Sequence, residues 1–202
     1  MTRPRRTKDF AYYLTFPWKK IEWTLEARRW RREYREELDV GRELARPGPL
    51  GVVLVLDHLK PRTNAGSLVR SADALGARAV HTVGMDYINP APAMGAARSV
   101  PIVEHRTMAA CLSSLRAEGY RIYALEPAKD VDERRYLDAT VLAPASAIVV
   151  GHESHGVSFD RTDHPDVVWL SIRQFGRMPC LNAAVAGSIA LYEFARQHGV
   201  RG

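Results

Sequence analysis

The chain has 202 residues, of which 46% are hydrophobic and 26% charged, and its formal net charge is +6. This balance excludes a disordered or low-complexity protein, and the length fits one domain with an extension or two small domains. Only two cysteines occur, Cys111 and Cys180. They exclude a disulfide framework and a four-cysteine zinc site, and they fit a reducing compartment.

The charge is concentrated at the amino end. Residues 1–50 hold 13 Lys/Arg against 8 Asp/Glu, and the remainder holds 16 against 15. A basic extension on a near-neutral body points to a polyanion partner, nucleic acid first, or to a solubilising helix. No apolar stretch approaches the roughly 18 residues of a membrane helix, so a soluble, cytoplasmic protein is expected.

Residues 18–39 are predicted as a helix. Trp23, Ala27, Trp30, Tyr34 and Leu38 recur at spacings of three and four on one face, with Arg28, Arg31, Arg32 and Arg35 mostly off it. The stripe packs on the body, or its aromatics, interleaved with arginines, stack on bases. Arg46-Pro47-Gly48-Pro49 reads as a linker, dividing an extension (1–46) from a second unit (47–202).

Strand–helix alternation follows. Residues 51–56 form a short β-branched run suited to a strand buried on both faces. A helix is predicted over 64–76, with Asn64 as its cap and Gly76 as its end. Further strands are predicted over 79–83, 120–125, 147–150 and 167–172, and helices over 107–118 and 181–197. This order gives an α/β fold with a mostly parallel sheet and helices on both faces, whose working loops lie at the carboxyl ends of the strands.

Three of those loops carry chemistry. In the first, Asn64 and Gly66 stand at a helix start, where free N–H groups can meet an anion, and Arg70 follows about 1.7 turns along. Alternatively Asn64 only caps the helix and Arg70 lies on the surface. The second is Gly151-His152-Glu153-Ser154-His155-Gly156. Its glycines allow backbone to approach a ligand. Its histidines have too few companions for a metal site, and Ser154 does not fit the Gly-x-Ser-x-Gly nucleophile elbow. The third runs from Ile172 through Arg173, Cys180, Leu181 and Asn182 into a small-residue helix suited to close packing. Cys180 is expected to be a small buried residue rather than a nucleophile.

Asn-x-Gly with a following Arg, Gly-x-Glu-x-x-Gly, and Leu-Asn before a small-residue helix, in this order over about residues 51–198, resemble the SpoU/TrmH family of RNA 2′-O-ribose methyltransferases. The resemblance implies a deep carboxyl-terminal trefoil knot, a homodimer, S-adenosylmethionine as cofactor, and tRNA or rRNA as substrate. It assigns Gly151, Gly156, Ile172 and Leu181 to the cofactor, and Arg70, Asn64, Glu153 and Asn182 to the polar active site, with Glu153 and Asn182 expected to hold Arg70 and the active-site loops. Arg28, Arg31, Arg32, Arg35 and Arg173 are the expected RNA contacts, and no metal is implied. Two positions depart from the family pattern. Arg173 stands where a Pro is usual after Ile172, and Cys180 stands where a Ser is usual before Leu181. Both leave room for an inactive RNA-binding protein on the same fold.

Overall fold

A computed structural model describes residues 17–127 and 135–199, with side chains from residue 24 onward. Helix α1 (Pro17–Leu44) is followed by β1 (Val52–Asp57), α2 (Arg62–Ala74), β2 (Ala79–Val83) and the single turn α3 (Pro90–Ala93). Then come β3 (Ile102–His105), α4 (Met108–Ala117), β4 (Arg121–Leu125), β5 (Ser146–Val150), β6 (Val168–Leu170) and α5 (Ala183–His198). The strands form one sheet in the order β3-β2-β1-β5-β4-β6, and every pairing in it is parallel.

All six residues of β1 are buried. Their alternation feeds two cores. Val52, Leu54 and Leu56 face the layer containing α2 and α5, while Val53 and Val55 face α4. Covering both faces explains why β1 reads as an unbroken apolar run rather than an alternating one. Helix α5 packs on α2, β5 and β1. The approach is close because residue 187 is glycine: a Cβ there would lie 2.6 Å from Leu68 Cδ2 and 3.0 Å from Val150 Cγ2.

Helix α1 runs five residues beyond its predicted end. Ala27 and Tyr34, both 2% exposed, join the main core, and Trp30 and Leu38 pack against it. The apolar stripe therefore lies on the body over this stretch. Trp18 and Trp23 lie outside the described side chains. The sequence reading also missed β3, a four-residue edge strand with two exposed positions and little apolar signal.

The cap assigned to Asn64 is corrected. Helix α2 begins at Arg62 with Pro61 as its N-cap and no side-chain cap, which frees the Asn64 amide for other partners. Asn182 does cap, accepting from the N–H groups of Ala184 (2.9 Å) and Val185 (3.3 Å) at the start of α5. No helix among the described residues is long and apolar enough to cross a membrane.

Candidate active site

From β1 the chain runs outward to β2 and β3, yet β5 returns to pair with β1 on its other side. The carboxyl ends of β1 and β5 therefore frame a crevice where the strand order reverses, the usual ligand position in a parallel α/β sheet. The loops after both strands meet there. Asn64, 9% exposed, donates its Nδ2 to Glu153 Oε1, and Glu153 Oε2 accepts from the Lys60 N–H at 3.1 Å. Asn182 Nδ2 donates to Asn64 Oδ1 at 3.3 Å. Asn64 is thus the hub that joins all three loops.

The expected hold of Glu153 and Asn182 on Arg70 is not formed, because both bind Asn64 instead. Arg70 is exposed on α2, with no hydrogen bond or ion pair among the described residues. The anion-facing role read for Gly66 is corrected as well. Gly66 is buried, and a Cβ there would lie 2.3 Å from the Asn89 carbonyl oxygen, so its small size serves packing.

A cavity of about 570 Å³ opens beside this cluster at the ends of β4, β5 and β6. Gly151, Gly156, Ile172 and Leu181 all line it, together with Glu153. At Gly151 a Cβ would lie 2.3 Å from the Gly156 carbonyl carbon, so the loop can close only around glycine. The His152 N–H donates to the Gly156 carbonyl (2.8 Å) and the Gly156 N–H donates back to the His152 carbonyl (2.8 Å). Burial, opposed by the Glu153 charge, holds the His152 imidazole below its ordinary pKa.

The cavity wall fits a ligand of mixed polarity. Trp169 lines the cavity with its ring, and its Nε1 is buried with no hydrogen-bond partner among the described residues. Glu126, ion-paired with Arg161 at 2.8 Å, and Asp160 add carboxylates, and Phe159 and Val157 add apolar surface. The sequence reading missed these residues because Trp169 sits in a buried strand and the others lie in loops without a motif.

Cys180 is exposed and lines the cavity, which corrects the expectation that it is buried. The residues after Ile172 run as an open loop, so small size at 180 brings no burial. Among the expected RNA contacts, Arg28, Arg32 and Arg35 are exposed on α1. Arg31 is committed to the body, since it meets Asp86 at 2.7 Å while Arg62 meets the other oxygen at 3.0 Å. Burial alone would raise the Asp86 carboxyl, but these two guanidinium groups outweigh it and hold the pKa down. Arg173 is also engaged, with Asp138 at 3.2 Å and the Tyr136 ring 3.8 Å beneath it.

Away from the crevice, His81, His105 and Cys111 bring three ligand-type atoms within 4.8 Å. The two imidazole planes differ by only 15°, and Nδ1 of His81 lies 2.9 Å from Nε2 of His105. One ring donates to the other across this gap, so one N–H and one lone pair are used within the pair.

A model of the SpoU rRNA Methylase family matches residues 51–192. The chain belongs to this family. A Staphylococcus aureus (strain MSSA476) protein, named for the TrmH family of tRNA/rRNA methyltransferases, is 32% identical over 157 residues, covering 75% of this chain and 61% of its own. The chain thus spans about three fifths of the length of that curated relative. The structure of an AdoMet-bound rRNA methyltransferase from Sinorhizobium meliloti superposes with a TM-score of 0.64 at 22% identity, over 78% of this chain and 60% of that one. A structure described as an RNA 2′-O ribose methyltransferase gives a TM-score of 0.65 at 26% identity, over 78% and 60%. The family match covers β1 to most of α5 and leaves α1 outside it.

Proposed function

We propose that this SpoU-family chain transfers a methyl group from S-adenosylmethionine to a ribose 2′-hydroxyl in structured tRNA or rRNA. One observation carries the reading. Three separate loops converge through Asn64, Glu153 and Asn182 beside a cavity lined by all four residues assigned to the cofactor.

When bound, S-adenosylmethionine supplies an electrophilic methyl on a positively charged sulfur. Gly151, Gly156, Ile172 and Leu181 would hold it largely through backbone, with the Asp160 carboxylate as a polar partner. A ribose hydroxyl is a weak acid and a poor nucleophile, so the chain must orient it and favour loss of its proton. Arginine keeps its own proton, which makes Arg70 an orienting group that stabilises developing negative charge rather than a base. Glu153 and Asn182 fix Asn64, and through it they fix the loop that carries α2 and Arg70.

Two further assignments belong to this reading. The chain passes from edge strand β6 back over the sheet to α5 beside β5 and β1, which supports a carboxyl-terminal trefoil knot. Val185, Ile189 and Tyr192 form an exposed stripe at helical spacing along α5. That stripe supports a homodimer formed through α5, with Asn182 and its partners at the edge of the interface.

Arg70→Ala should lower turnover on total RNA by about 100-fold or more while leaving S-adenosylmethionine binding by calorimetry intact. Unchanged turnover removes Arg70 from the mechanism. Wild-type protein that binds RNA but no S-adenosylmethionine would establish the non-catalytic alternative, in which Cys180 replaces a family serine that the chemistry needs.

A further inference from the structure

A second concavity lies on the same edge of the sheet as the crevice. It is a groove of about 670 Å³ between α1 and the segments that leave the carboxyl ends of β2 and β3. Tyr34, Arg35 and Arg42 form one wall, and Glu104 and Arg106 the other. Two of the three acids around it are ion-paired within the chain. Asp39 is paired with Arg42 at 2.8 Å, Asp86 with Arg31 and Arg62, and Glu104 accepts from the Tyr34 hydroxyl at 3.4 Å. Arg35 and Arg106, both exposed, have no ion-pair partner among the described residues. Two guanidinium charges therefore face the groove from two different elements, in excess of the Glu104 carboxylate that shares it.

The groove and the active site lie along the same edge of the sheet. Arg28 and Arg35 lie seven residues apart, so they share one side of α1 and extend its positive wall by about 10 Å. Exposed His58 and Lys60 lie on the loop between the groove and Glu153. That loop hugs the end of β2: the His58 N–H donates to Val83 O at 3.1 Å, and a Cβ on Gly84 would strike the His58 ring. Three strand spacings, about 14 Å, separate β3 from β5. A few nucleotides cover that distance.

We propose that this groove holds the RNA strand flanking the methylated nucleotide, with Arg35 and Arg106 on its phosphates and the strand passing over His58 and Lys60 to the crevice. The proposal rests on the methyltransferase reading for the identity of the polyanion. It moves the centre of RNA contact from the helix face alone to a two-sided groove. Arg31 leaves the contact set, because it fastens the helix, and Arg106 enters it.

The test is filter binding of end-labelled total RNA to the full chain over a series of KCl concentrations. The variants are Arg35→Gln and Arg106→Gln, with Arg78→Gln at the amino-end edge as control. Each groove variant should weaken binding several-fold and reduce the slope of log affinity against log salt by about 0.7 to 0.9. Arg78→Gln should match wild type, and calorimetric S-adenosylmethionine binding should persist in all three. An Arg106→Gln chain with wild-type affinity and slope overturns the groove, as does wild-type protein that fails to bind total RNA. Displacement of RNA by polyglutamate at equal charge concentration also overturns it, by showing a general polyanion surface. Failure of methyl transfer with these RNA results intact would remove the catalytic reading and leave the groove standing.

Discussion

Replacing Asn64 by Asp keeps the side-chain shape but turns the amide that donates to Glu153 into a second carboxylate. Two unit charges 4 Å apart repel by about 4 kcal/mol at an effective dielectric of 20. Asn64 is 9% exposed but Glu153 is open to solvent, so screening reduces the expected cost to about 1–2 kcal/mol. The sign with pH follows from the crowding. Two facing carboxylates raise the folded-state pKa of the pair above the unfolded value, so the folded chain takes up a proton first as pH falls. The penalty is therefore present at pH 8 and relieved near pH 4.5. Urea unfolding of wild type and Asn64→Asp at both pH values measures it as a difference, in which every other titration common to the two chains cancels. An equal cost at pH 8 and pH 4.5 would show that Asn64 and Glu153 are not in contact, and the three-loop hub would fall with it.

Other consequences are equally direct. Burial, and then the His105 charge, lower the His81 pKa to about 4 from an ordinary 6.5, while Glu118 works weakly the other way. Its contribution is full above about pH 6.5 and is lost as pH falls to about 4, because the unfolded chain binds the proton first. The loss is at most about 3 kcal/mol. His81→Gln should flatten the urea stability curve over that window, and a curve parallel to wild type would contradict the assignment. Gly187→Ala places a Cβ against Leu68 and Val150, so overpacking should destabilise by about 1 kcal/mol after the gain in helix propensity. In the Leu68→Val background that cost should shrink, and strict additivity of the two changes would show that they do not touch. Asp86→Asn releases Arg31 and Arg62, so amide exchange across residues 24–44 should accelerate while β1 and β5 stay protected. Unaltered exchange in α1 would mean that the core contacts of Ala27 and Tyr34 hold the helix alone.

Much of the fold was legible because its signals are local. The apolar run at 52–56 and Gly76 at the end of α2 mark a strand and a helix end from neighbouring residues alone. The site was legible only as three motifs in order. Which residues touch is a property of strand order, and the return of β5 to the side of β1 cannot be read from periodicity. That return makes Glu153 a partner of Asn64 rather than of Arg70. The role of Arg31 was hidden for the same reason, since its partner Asp86 is 55 residues away in sequence. Cys180 was misplaced because composition says small and apolar, whereas exposure is decided by an open loop over the cavity. The core role of Ala27 and Tyr34 also bears on how the amino-terminal region is tested: deleting residues 1–46 would strip both from the main core, so single charge changes on α1 are the cleaner probe.

The central claim is methyl transfer to a ribose oxygen at the crevice between β1 and β5. Its most direct test incubates the full chain with unmodified total RNA and methyl-labelled S-adenosylmethionine, digests the RNA to nucleosides, and locates the label by mass. The account predicts label on the 2′-oxygen of a nucleoside, absent with Arg70→Ala. Label on a base, or equal incorporation by the Arg70→Ala chain, would contradict it.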